Sequence, residues 1–125
     1  MPIWYISDII PYTGTINLDT VNIEYTVLEL KDMDTYYMVT GYLDLSGMQR
    51  GSEVYVREYL DLAQGTYKKY LSYRFRGEQI DPLVMVTPKY LTDTDNYKLT
   101  LLLSGGQPIS IPYKLLVFKY ASKEM

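Results

Sequence analysis

Tyrosine rings alternate with cations over residues 55–76. Tyr55, Arg57 and Tyr59 share one strand parity, and Lys68, Tyr70 and Arg74 share the parity expected to face them. Rings of this kind stack on bases or on sugar faces, and cations steer phosphates. Five of the twelve basic residues fall between Arg57 and Arg76, so a local basic patch is compatible with a net charge of −3. The same pattern also describes an ordinary solvated sheet face, on which Tyr pairs with Arg or Lys across strands.

Carboxylates offer a second chemistry. Glu24, Glu53, Glu58 and Asp61 could hydrolyse a glycosidic bond as a pair without histidine. Every chain of this size holds several such residues, however, and nothing in their spacing singles out two. Asp93-Thr94-Asp95-Asn96 clusters oxygen ligands of the kind calcium prefers, with Asp81 as a further donor if the fold brings it near. An EF-hand loop is excluded, because position 97 is Tyr and no glycine follows, and a turn in which Asp and Asn bond their own backbone accounts for the same residues. A tyrosine nucleophile would need a basic cluster; Tyr70 with Arg57 and Lys68 is one such grouping among 15 tyrosines.

The absences exclude more than the motifs include. The chain has no histidine and no cysteine. Serine–histidine and cysteine–histidine catalysis are therefore impossible within it, as are disulfides and thiolate metal sites. Walker loops, dinucleotide-binding glycine patterns and zinc motifs are missing. No cofactor or metal is expected. The opening residues, Met1 to Asp8, have no basic n-region, and no stretch approaches the roughly 18 apolar residues of a membrane span. A cytoplasmic or virion location without signal peptide or transmembrane segment is the expectation.

The elements that must position these residues are strands. Helical periodicity is poor, and β-branched and aromatic residues fill the segments between turn signals. Strands are expected at 21–30, 36–45, 53–61, 66–76, 80–87, 97–103 and 109–120, with a short one near 3–6. A four-residue loop, Leu62-Ala63-Gln64-Gly65, would set Asp61 opposite Thr66. That register pairs Val54 with Tyr73, Val56 with Leu71, Leu60 with Tyr67, and Glu58 with Lys69. Residues 88–96 read as a polar connection. The expected fold is all-β: residues 1–125 as one two-sheet antiparallel β-sandwich of seven or eight strands, with Greek-key or jelly-roll connections.

Three segments break the usual alternation. Leu83–Val86, Leu101–Leu103 and Leu115–Phe118 are apolar on both parities. One face of a sandwich strand normally meets water, so the second faces call for cover. Met1–Pro11, with Ile3, Trp4, Ile6 and Ile9, is one internal source; a partner or a second copy is the other. The candidate assembly interface is Leu83, Met85, Leu102, Leu116 and Phe118.

A compact, tyrosine-rich sandwich without a catalytic set is similar in overall style to the small jelly-roll coat subunits of viruses, and also to non-catalytic carbohydrate-binding modules. Neither resemblance rests on a motif, and neither transfers functional residues. The first implies a non-enzymatic structural protein, a capsid or coat subunit that forms a homo-oligomer or packs on other structural proteins. The second implies a module binding carbohydrate or single-stranded nucleic acid through Tyr55, Arg57, Tyr59, Lys68, Tyr70 and Arg74.

Overall fold

The computed structural model describes residues 2–124. Eight strands make up the regular structure: β1 (Pro2–Leu18), β2 (Glu24–Leu30), β3 (Tyr37–Asp44), β4 (Glu53–Leu62), β5 (Lys68–Arg76), β6 (Leu83–Leu91), β7 (Asp95–Gly105) and β8 (Ile109–Glu124). They form two antiparallel four-stranded sheets, ordered β1-β8-β3-β6 and β2-β7-β4-β5. Only β4 and β5 are hairpin neighbours; every other connection crosses between the sheets. The expected all-β antiparallel sandwich is therefore present.

Alternation builds the interior. Tyr37, Val39 and Leu43 of β3 point inward, as their parity predicts, and meet Leu99, Leu101 and Leu103 of β7 from the opposite sheet. Each such side chain contributes roughly 1.5–3 kcal/mol when fully buried. Gly41, with φ 148°, turns the place of its missing Cβ toward β8. A Cβ at Gly41 would stand 2.3 Å from the Lys114 carbonyl oxygen, so only glycine permits this approach.

Several elements differ from expectation. β1 is seventeen residues long and pairs with β8 along its whole length, from Pro2–Glu124 to Leu18–Ile109. Its apolar residues lie on both parities, and so hide the period of two. β2 begins only at Glu24, because Asn22 takes a left-handed turn (φ 62°) that leaves Val21 and Ile23 exposed. β6 runs through Pro88 to Leu91. It is an edge strand with a register shift against β3 at Val39–Gly41, a place where a missing amide is tolerated.

The β4–β5 register is two residues off over most of its length. Val54 faces Phe75, Val56 faces Tyr73, Glu58 faces Leu71, and Glu53 faces Arg76. A two-residue slip keeps every side chain on its expected face, and it replaces the Glu58–Lys69 pair with a Glu53–Arg76 pair at 2.6 Å. The loop is held by the Asp61 carboxylate, which accepts the amides of Gln64 and Gly65 at 2.9 and 3.0 Å. A further shift between Glu58 and Tyr59 then turns the start of β5 over.

Glu58 therefore points into the sandwich, not toward Lys69. It is 4% exposed. Its Oε1 accepts Lys89 Nζ at 2.5 Å and the Tyr97 hydroxyl; its Oε2 accepts the Tyr70 hydroxyl at 3.1 Å. Lys89 lies on β6, so the ion pair ties one sheet to an edge strand of the other. Burial depresses the Lys89 ammonium pKa, and the bond and charge of Glu58 work against that.

Two predictions follow from this buried network. Lys89→Met is expected to cost about 3–5 kcal/mol, because Glu58 is left buried without its cation. The double variant Glu58→Leu/Lys89→Met is expected to recover most of that loss; strict additivity in urea denaturation would contradict the pairing. The second concerns alkali. Burial, with nearby carboxylates, raises the phenols of Tyr37, Tyr67, Tyr70 and Tyr97 well above their ordinary value of 10.0. The unfolded chain therefore releases these protons first, and stability falls as pH rises past about 10. Lys89, with its lowered pKa, offsets only part of this. The last part of the rise in tyrosinate absorbance should coincide with the loss of circular dichroism in one cooperative step; ionisation of every tyrosine with the fold intact would contradict it.

Candidate assembly face

Cross-strand partners of an antiparallel sheet share a face, so the registers map the outside of the β1-β8-β3-β6 sheet directly. One row across it is Ile9, Phe118, Met38 and Tyr90. The next holds Pro11, Leu116 and Thr40, and the next Thr13, Lys114, Tyr42 and Met85. Leu83 lies at the far end beside Asp44. The rows named are apolar over most of their width, with Lys114 and Asp44 the charged residues among them.

The face is open. Leu83 is 63% exposed, Met85 52% and Tyr90 75%, while Leu116 and Phe118 in the middle of the sheet are half-buried by their neighbours. The N-terminal segment does not cover it. Residues 2–18 form the edge strand of this same sheet, because their amides and carbonyls are satisfied by β8. Strand pairing thus adds Ile9 and Pro11 to the apolar outside instead of hiding it.

Four of the five residues expected at an interface, Leu83, Met85, Leu116 and Phe118, share this face. Leu102 does not. It belongs to β7 in the other sheet, half-buried between Glu24 and Tyr55 on that sheet's outside. Met38, Tyr42, Ile9, Pro11 and Tyr90 were not singled out. The alternate parity of β3 was the available signal for the first two. For the others the register with β8 and β3 was needed.

The ring-and-cation face is divided by the fold. Tyr55, Arg57, Tyr59 and Arg74 lie together outside the β2-β7-β4-β5 sheet. Lys68 and Tyr70 do not join them. The shift after Glu58 sets Lys68 opposite the inward-facing Leu60 and aims the Tyr70 hydroxyl at Glu58, on the other side of the sheet from Arg57.

On what remains of that face, Arg57 is neutralised from within. The Glu24 carboxylate accepts Arg57 Nη1 at 2.8 Å and the Tyr59 hydroxyl at 2.7 Å. Burial pushes Glu24 up, but the bonds from Tyr59 and Arg57 and the charge of Arg57 outweigh it and hold the carboxyl below its usual value. The Arg57 guanidinium sits 5.0 Å from the Tyr55 ring, and Lys98 lies 5.0 and 4.8 Å from the rings of Tyr59 and Tyr67. Such exposed contacts each contribute modestly to stability, and they occupy the groups a phosphate would need.

The carboxylates have structural partners as well. Glu53 holds Arg76 and the Ser104 hydroxyl, Glu58 is inside, and Asp61 caps its loop. Asp95 accepts the amide and hydroxyl of Thr92 at 2.9 and 3.0 Å, closing its own turn, and Asn96 bridges Asp61 to the Asp32 amide. Among the described residues no three carboxylates gather in a way that would hold a metal. Among them, too, no helix is long and apolar enough to cross a membrane.

No family model matches the chain, and no curated protein is significantly similar to it. Solved structures do resemble it. VP2 of infectious bursal disease virus, in a subviral particle, is similar with a TM-score of 0.50 and 18% identity, over 94% of this chain and 33% of that one. Structures of the Gx and Gt strains of the same virus give TM-scores of 0.49 and 0.47 at 16% and 15% identity. They cover 94% and 95% of this chain, and 32% and 33% of theirs. The chain thus spans about a third of the length of the structures it matches, and the likeness to the VP2 particle protein is one of fold.

Proposed function

We propose that this chain is a non-enzymatic assembly protein, a coat or capsid subunit of a virus, that associates with copies of itself through the outer face of the β1-β8-β3-β6 sheet. The observation that carries the reading is that face: an apolar band across four strands, left open by the rest of the described chain. Contiguous apolar patches beyond a few hundred Å² are unusual on monomers and mark contact sites. The strand order supports the same reading, since two four-stranded sheets with crossing connections suit a jelly roll. So does the similarity in fold to a protein solved as a subviral particle. Leu83, Met85, Leu116 and Phe118 would form the contact, with Tyr42 and Ile9; Leu102 would stand apart from it. The expected location is a virion or the cytoplasm in which one assembles.

Light scattering over a concentration series tests this. Reversible association is expected, and Met85→Asp or Leu83→Asp should weaken it at least about tenfold, since each buried large apolar side chain contributes roughly 1.5–3 kcal/mol. Both side chains point outward, so the fold should survive. A monomer at high micromolar concentration would contradict the proposal.

A further inference from the structure

At one end of the molecule, five aromatic residues line an open hollow of about 380 Å³, the fully buried Tyr37 and four less buried rings. Trp4 comes from β1, Tyr36 from the residue before β3, Tyr90 from β6 and Tyr120 from β8. Trp4 and Tyr36 stack in parallel, with ring centroids 4.9 Å apart and planes 4° apart. Tyr90 and Tyr120 lie 6.4 Å apart, tilted by 43°. The arrangement is anchored through the backbone: the Tyr120 amide donates to the Tyr36 carbonyl at 2.9 Å, and the Thr35 hydroxyl donates to the Tyr120 carbonyl. The lining is almost wholly apolar.

Four tyrosines elsewhere in this chain carry the chain's own cations on their faces. Arg57 lies over Tyr55, Lys98 over Tyr59 and Tyr67, and Lys89 over Tyr97. Among the described residues, none of the four less buried rings of the hollow has such a cation. The turns that lead to Tyr36 and away from Thr92 carry Asp32, Asp34 and Asp93. Lys119 matches Asp34 at 3.1 Å, whereas Asp32 and Asp93 form no ion pair among the described residues.

We propose that this hollow binds a small organic cation, specifically a quaternary ammonium group. Aromatic faces attract positive charge through their quadrupoles. Asp93 directly follows Thr92 of the lining, which keeps one carboxylate near the hollow. The lining decides between cations. An ammonium or guanidinium group brings hydrogen-bond donors that would go unmet against apolar walls. A quaternary ammonium brings only methyl groups, which those walls can pack.

Trp4 is the chain's only tryptophan, so its fluorescence reports on the hollow directly. The full chain is titrated with tetramethylammonium and with choline, and in parallel with 3,3-dimethylbutan-1-ol, the neutral isostere of choline. A saturable change with both cations and little with the alcohol is expected. Tyr90→Leu keeps apolar bulk but removes a ring, at a position exposed enough to leave the fold intact; it should weaken binding by about tenfold. Phosphatidylcholine vesicles identify the source. Co-flotation assigns the cation to a lipid headgroup, and binding of free choline without co-flotation assigns it to a soluble amine. Equal curves for the alcohol and the cations would overturn the proposal and leave an apolar side chain, such as one from a second copy, as the occupant. No saturable response to either cation, or unchanged binding by Tyr90→Leu, would overturn it as well.

Discussion

A strand has two faces, and a two-sheet sandwich has one interior. In β8 that constraint acts on a run whose only charged member is Lys114. Ile111, Leu115 and Val117 take the interior, so Pro112, Leu116 and Phe118 must stand outside whatever their chemistry. β3 and β6 repeat the arrangement with Met38, Tyr42, Leu83 and Met85. β1 extends it, because pairing with β8 satisfies its backbone and leaves its side chains no freedom to fold over the sheet. The opposite sheet solves the same problem in the ordinary way. Its outside carries Glu24, Arg57, Tyr59 and Lys98, whose charges and rings satisfy one another.

The two surfaces thus differ in kind, and the interior adds a further inversion. The sandwich keeps a charge pair inside, Glu58 with Lys89, while it presents hydrophobic residues outside. Tyrosine makes this workable. Tyr97 and Tyr70 contribute apolar rings to the packing and hydroxyls to the Glu58 carboxylate, which phenylalanine could not do. The pair also fixes β6, an edge strand with a proline and a bulge, against the opposite sheet. That strand carries Leu83 and Met85, so the internal ion pair bears on how the apolar face is presented.

Much of this was legible in the residues. The all-β sandwich, the inward set Tyr37, Val39, Leu43 and Leu45, and the apolar excess of the last strands all follow from parity alone. What parity could not supply was pairing between strands far apart in sequence. Leu102 looked like Leu116 because both sit in apolar runs; only the sheet order separates them. Lys68 and Tyr70 looked like partners of Tyr59 until a one-residue shift turned them over, a local irregularity with no compositional mark. Glu58 offered a plausible surface partner in Lys69. Its true partner, Lys89, lies 31 residues away in a segment that looked like a polar connection.

The central claim is that the outside of the β1-β8-β3-β6 sheet is covered by another copy of the chain. Because the chain has no cysteine, a single one can be placed at will. The most direct measurement compares maleimide labelling of Met85→Cys with that of Tyr59→Cys, on the opposite sheet, as concentration is raised. Met85→Cys is expected to become protected with increasing concentration while Tyr59→Cys stays reactive. Equal, concentration-independent labelling at both positions would contradict it.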